Sequence, residues 1–231
     1  MELSIDHLSA GAARARGTAV IIDVFRAYSV ECYAYAAGAA RIYPVGALEE
    51  AYARKQAQPD VLLCGERRGK KEPGFDFGNS PSEILKADLR GRTLVHTTSA
   101  GTQGVGAAVY AEEILMASLV NAAATAEYLR RSGAQRVSFV CMGLENRTPT
   151  LEDTVCAEYM RALLLGEAYD LPARIPELRD GPGRRFFVPE DQSFAPREDF
   201  ALCVQYDRFP FALRLAREPD GTAFSERVDV L

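Results

Sequence analysis

Asp23-Val-Phe-Arg26-Ala-Tyr-Ser29 follows directly on the apolar run Ala19-Val-Ile-Ile22. A carboxylate at a strand's C-terminal end, with an arginine three residues on, can hold a divalent cation and an anion side by side. The same pattern also serves as a helix cap with an ion pair one turn apart. Two further groups, Cys64-Gly-Glu66-Arg67-Arg68-Gly69 and Gly74-Phe-Asp76-Phe-Gly-Asn79-Ser80-Pro81, share one long loop. Their carboxylates, cations and amide are enough to fold over a charged small molecule, or to pair with one another. A fourth group is Leu94-Val-His96-Thr97-Thr98-Ser99-Ala-Gly101-Thr102, a hydroxyl- and glycine-rich turn that opens a helix. Backbone N–H groups around Gly101 and Thr102, with the hydroxyls of Thr98 and Ser99, can bind an anion without formal charge. The turn lacks the Gly-Lys of a nucleotide P-loop. His96 is expected to pack under the sheet end, with a catalytic role as the other reading. Glu152 and Asp153 open a helix, where they complement its dipole; converging with Asp23 and Glu66, they would need a hard cation among them.

The elements that hold these groups are legible from spacing. Short β-rich runs at Thr18–Val24, Arg41–Val45, Val61–Gly65, Thr93–Thr98, Glu113–Ser118 and Arg136–Met142 alternate with helical stretches at Ala27–Ala37, Ala47–Gln56, Thr102–Tyr110, Asn121–Arg131 and Leu151–Leu165. This alternation predicts an α/β fold, three-layer α/β/α around a largely parallel or mixed sheet. Such folds place ligands beyond the C-terminal ends of strands, where all the groups above fall. Asn121 is positioned to cap its helix and Gly133 to stop it. Residues 1–167 make the main domain with the active site. From Ala168 onward prolines break the rhythm, and residues 168–231 are expected as a C-terminal appendage packed on the same domain.

The chain has 231 residues, with 27 Lys+Arg against 32 Asp+Glu, a net charge of -5, and 48% hydrophobic residues. There is apolar material for a sizeable core, and no general positive field for a phosphate backbone; nucleic acid is not an expected partner. The five cysteines stand singly with no CxxC pair, against a disulfide framework or a zinc knuckle. The first residues lack the basic and apolar parts of a signal peptide, and the longest uncharged stretch, Thr93–Ala111, is rich in Gly, Ser and Thr. A cytoplasmic protein with no membrane partner is expected, and a homodimer is compatible with the pattern.

Together the clusters resemble one family, the 2-phosphosulfolactate phosphatases. The matching stretches are Ile22-Asp23-Val-Phe-Arg26-Ala, Gly65-Glu66-Arg67, Gly74-Phe-Asp76-x-Gly78-Asn79-Ser80-Pro81, Thr97-Thr98 through Gly101-Thr102, and Leu151-Glu152-Asp153, in order across residues 18–165. The resemblance implies a Mg2+-dependent hydrolase removing phosphate from 2-phospho-3-sulfolactate, in the coenzyme M pathway, on a three-layer α/β fold. Three places depart from the family's pattern. Tyr28 replaces a small hydroxyl, Ala100 an asparagine, and Gln103-Gly104 an Arg-Ala pair.

The expected chemistry is metal-assisted hydrolysis of a phosphate ester on a small acidic phosphorylated hydroxy acid. Asp23, Arg26 and Glu66 are the catalytic candidates. Mg2+ is expected on a subset of Asp23, Glu66, Asp76, Glu152 and Asp153, with one carboxylate as base toward water. Arg67, Asn79, Ser80, Thr98, Ser99, Gly101 and Thr102 are expected to bind phosphate or the rest of the substrate. Two other readings carry their own signatures. Cys141 and Arg147 have the Cys-x5-Arg spacing of cysteine phosphatases. A non-catalytic relative would bind an anionic metabolite without turnover.

Overall fold

Val20 and Ile22 are buried on one face of a sheet and Ile21 on the other, as the two-residue period of a strand requires. The computed structural model that shows this describes residues 1–230. Ten strands form one mixed sheet: β1 (Glu2–His7), β2 (Thr18–Ile22), β3 (Arg41–Pro44), β4 (Leu62–Arg67), β5 (Lys70–Lys71), β6 (Thr93–Thr97), β7 (Glu113–Ala117), β8 (Arg136–Cys141), β9 (Phe211–Arg217) and β10 (Ala223–Asp229). Their order is β1-β8-β2-β7-β9-β10-β3-β6-β4-β5. The expected strands are present to within a residue or two, and Glu2–His7 adds an edge strand that its mixed polar pattern concealed.

Among the described residues nine α-helices cover the two faces: α1 (Leu8–Ala12), α2 (Ala27–Ala36), α3 (Leu48–Ala57), α4 (Pro81–Ile84), α5 (Gly101–Ala107), α6 (Ala122–Ser132), α7 (Leu151–Leu165), α8 (Leu171–Asp180) and α9 (Arg197–Cys203). One core gathers Ile21, Ile42, Leu94, Met116 and Leu213 under α1, α2, α4 and α5. On the opposite face, Val20, Ile22, Leu115 and Phe139 pack under α6 to α9. Tyr43, Leu63 and Val95 continue that face under Ala51 of α3. The three-layer expectation therefore holds. Gly133 does end α6, in the left-handed conformation at φ +70°. Asn121 acts slightly earlier than expected, its side chain reciprocating with Ser118 around a short 3-10 turn.

Residues 168–230 are more integral than an appendage. β9 and β10 form a hairpin in the middle of the sheet, between β7 and β3. Each junction with the older strands is narrow: Leu115 and Met116 pair with β9, and Ile42 alone with β10. Both junctions are antiparallel, so the parallel set β1-β8-β2-β7 and the parallel set β3-β6-β4 run in opposite senses. Their C-terminal ends nevertheless meet, through Gly101 N–H donating to Asp23 Oδ2 at 2.9 Å, which requires the sheet to coil across the hairpin. Gly101 and Gly104 let α5 sit that close. A Cβ on Gly104 would fall 2.4 Å from Met142 Sδ, and one on Gly101 2.8 Å from the Ala27 Cβ.

Candidate active site

Asp23, the first residue after β2, has both carboxylate oxygens in use. Oδ1 accepts the Ala27 N–H at 3.1 Å and Oδ2 accepts from Gly101. Asp23 thus satisfies the first amide of α2 from outside the helix, Arg26 standing at the cap position without a side-chain cap bond, and the local ion pair of Asp23 with Arg26 is not formed. Arg26 Nη1 donates to Asp199 of α9 at 2.6 Å, with Arg26 5% exposed and Asp199 0%. Asp199 also accepts from the Ser80 hydroxyl and the Ser82 N–H, both at 2.9 Å.

Glu152 and Asp153 enter the same region from the first turn of α7. Asp153 accepts the N–H groups of Val24 at 2.9 Å and Gly143 at 2.8 Å, tying the ends of β2 and β8 together. Glu152 is buried, and its Oε2 has no hydrogen-bond partner. Burial raises all three carboxyls, and repulsion adds to it: from Glu66 on Asp23, from Asp23 on Glu152, and from Glu152 and Asp23 on Asp153. Asp23 is pushed up to about 6, Glu152 to about 7, and Asp153 well above its usual range. Arg185, from the Pro182–Phe187 turn, donates to the Phe25 carbonyl at 2.7 Å and lowers both Asp23 and Glu152.

These groups stand beside a cavity of about 40 Å3 lined by Arg26, Glu66, Asn79, Ser99, Ala100 and Arg185 among others. It has room for a few waters or one small oxyanion. Ser99 and Glu145 also line a wider cleft of about 870 Å3, whose rim carries Arg67, Arg68, Gln103 and Arg147.

The other predicted residues divide in two. Glu66 faces the cavity and receives the Gly69 N–H at 2.6 Å, the Ser99 N–H at 2.7 Å and the Ser99 hydroxyl at 3.1 Å. Arg67 reaches Thr97 Oγ1 and the Gly46 carbonyl, both at 2.9 Å, on the cleft rim. Asn79 meets His96 Nε2 at 3.3 Å, and the other ring nitrogen of His96 meets Glu31 at 2.9 Å; His96 is indeed buried under the sheet end. Asp76 does not join the carboxylates. It accepts the Leu63 N–H at 2.8 Å near the start of β4, beside Lys55. The amides of Gly101 and Thr102 are committed to Asp23 and to Thr98 Oγ1, and Thr102 Oγ1 bonds back to Thr98. That turn is a structural joint, with Ser99 and Ala100 on the cavity wall.

Of the three departures, Tyr28 lies outside the cavity. It is fully buried, its hydroxyl donates to the Gly101 carbonyl at 2.8 Å, and burial holds its pKa well above the usual value. Ala100 lines the small cavity and Gln103 the wide cleft. Arg185 and Asp199 escaped the sequence reading because their partners lie far away in the chain. The one local sign was a cation beside aromatic residues, Arg185-Phe186-Phe187.

The cysteine reading fails on geometry. Cys141 is buried in the α6–α9 core, and burial next to Asp153 pushes its thiol well above the usual value. Arg147 is 77% exposed and faces Glu145. Cys141→Ser should leave any phosphate release within about twofold of the parent enzyme; a steady-state assay checks it, and a large loss would restore the thiol.

Among the described residues, no three His, Cys, Asp or Glu side chains form a ready-made cation cage. Mg2+ commonly needs only one or two carboxylates, the remaining positions being water and substrate oxygens. Glu152, with its unpartnered buried oxygen, and Asp23 suit that mode. No helix among the described residues is long and apolar enough to cross a membrane.

Known proteins similar to this chain share one name. A protein of Caldicellulosiruptor saccharolyticus is 40% identical over 151 residues, 64% of this chain and 62% of its own length. Others from Thermotoga petrophila (43% over 140 residues, 61% and 59%) and Thermus thermophilus (40% over 146 residues, 61% and 60%) are similar; all three are named probable 2-phosphosulfolactate phosphatase. The chain spans about three fifths of the length of these curated relatives. Residues 5–178 match the family described as 2-phosphosulpholactate phosphatase, a span that runs from within β1 to within α8 with Asp23, Glu66, Glu152 and Asp153 in it, and the chain belongs to that family.

Proposed function

We propose that this protein is a Mg2+-dependent phosphatase that hydrolyses the phosphate ester of 2-phospho-3-sulfolactate, or of a closely related small acidic phospho-hydroxy acid. The observation that carries the reading is the meeting of Asp23, Glu152 and Asp153 at the coiled strand ends, with Arg185 acting on the first two, near a cavity sized for one oxyanion that Arg26 and Arg185 both line. Asp23 and Glu152 would hold the ion, which when bound supplies positive charge to a phosphate oxygen and to the attacking water. Arg26, fixed by Asp199, presents its cationic edge to the cavity without a rotamer search. Glu66, braced by the Gly69 and Ser99 amides and the Ser99 hydroxyl, fixes the wall of the cavity on which Ser99 sits. The organic part then projects into the wide cleft, where Arg67 and Arg68 suit a second anion. Water cleaves the P–O bond, leaving the hydroxy acid and inorganic phosphate.

The test is phosphate release from racemic 2-phospho-3-sulfolactate, phosphoglycolate and phospholactate, each with Mg2+ and with EDTA. Release is expected with Mg2+ and not with EDTA, and the sulfonate is expected to be the fastest of the three. Thermal stabilisation by these acids with no phosphate release would make the protein a binder.

A further inference from the structure

Arg185 lies beyond the residues that match the family, on the Pro182–Phe187 turn. Its position is nevertheless fixed. The next residue, Phe186, is fully buried and packs edge-on against Phe25 with ring centroids 5.2 Å apart. Nη2 of Arg185 donates to the Phe25 carbonyl at 2.7 Å, in the peptide immediately before Arg26. Both guanidinium groups flank the one Phe186 ring, at 5.7 Å for Arg26 and 5.2 Å for Arg185.

The two cations differ in how they are balanced. Arg26 is neutralised by Asp199 at 2.6 Å. Arg185 has no carboxylate oxygen within 4.0 Å among the described residues, and its one hydrogen bond uses one of five donors. Burial, and Arg26 beside it, hold its pKa below the usual value. Asp23 and Glu152 act on Arg185 from beyond contact distance, so its remaining donors are left for an anion, and Arg185 lines the 40 Å3 cavity where one fits.

We infer that Arg185 is the cavity's anion clamp, a planar fork that grips the phosphoryl oxygens of the substrate and of the phosphate product. The inference rests on the proposed phosphatase reading, which places the phosphoryl group in this cavity. The bland alternative is a structural arginine that pins the Phe25 carbonyl.

Inorganic phosphate is the probe that separates them. Calorimetry should show Arg185→Gln binding phosphate about 10–100-fold more weakly than the parent protein, with Arg185→Lys in between. kcat/KM should fall by about 100-fold or more in Arg185→Gln and recover in part with added guanidinium. A purely structural arginine would lower the melting temperature and leave phosphate affinity unchanged, which overturns the inference. For the unaltered protein, phosphate should slow the reaction of Arg185 with phenylglyoxal, read by peptide mass, while exposed Arg90 reacts as before; equal rates with and without phosphate overturn the inference even if the variants fail to fold. Phosphate binding that depends on Arg185, with no hydrolysis of any ester, would sink the phosphatase reading and leave the clamp standing.

Discussion

Glu152→Gln is expected to remove Mg2+-dependent phosphate release, by roughly 10^3-fold, while making the metal-free protein more stable at neutral pH. The first effect follows from losing one of two carboxylates proposed to hold the ion, whose charge stabilisation is worth several kcal/mol. The second follows from the burial of a carboxylate whose Oε2 has no partner. Its pKa stands at about 7 against an ordinary 4.5, chiefly through burial. Between those values the folded state keeps a proton that the unfolded state releases. Stability from this group is therefore fully present below pH 4.5 and lost as pH rises through about 7. Asp23, raised to about 6, adds to the same slope from pH 3.8 upward. Glutamine carries no charge at any pH, so the variant should gain roughly 1–3 kcal/mol over the parent at pH 8 and little at pH 4. Calorimetry in EDTA at the two pH values reads this directly. Parallel pH dependences in the two proteins would place Glu152 outside the buried cluster.

Asp199→Ala should cost about 3–5 kcal/mol, the range for removing one partner of a buried ion pair. It strands the Arg26 guanidinium, the Ser80 hydroxyl and the Ser82 amide at once, Arg26 and Ser80 being buried. The corresponding fall in melting temperature is about 6–20 °C for a chain of this length. Asp6→Ala, which breaks an exposed pair with Arg14, is the matched control and should change stability by less than about 1 kcal/mol. If Asp199→Ala melts no lower than Asp6→Ala, the buried pair is not what fastens α9 to the site. Activity of the folded fraction should fall too, because Arg26 loses the group that aims it into the cavity.

Local signals carried the sequence reading as far as local signals reach. Apolar alternation and glycine stops placed β2, β4, β6 and α7 within a residue or two, and with them the convergence of Asp23, Glu66, Glu152 and Asp153. What the spacing could not show was who occupies a given polar group. The amides of Gly101 and Thr102 look free on paper, yet a carboxylate 78 residues away takes the first and the Thr98 hydroxyl the second. Asp76 sits in the most distinctive run of the chain and turns back to serve the Leu63 amide. Arg185 and Asp199 gave no periodic signal at all, since their value lies in contacts with Phe25 and Arg26 some 160 and 173 positions earlier. Long-range pairing of this kind is invisible to any window of neighbouring residues.

The hairpin at the centre of the sheet has a consequence for how the crevice comes into being. Residues 211–229 are synthesised after every other strand, and they alone join β7 to β3. Until they emerge, the growing chain holds two parallel half-sheets with bare edges at β3 and β7, open to mispairing with other chains. Asp23 and Glu152 belong to one half and Glu66 to the other, so neither half alone brings these carboxylates together. The crevice is therefore assembled only when the seam between the two half-sheets is zipped.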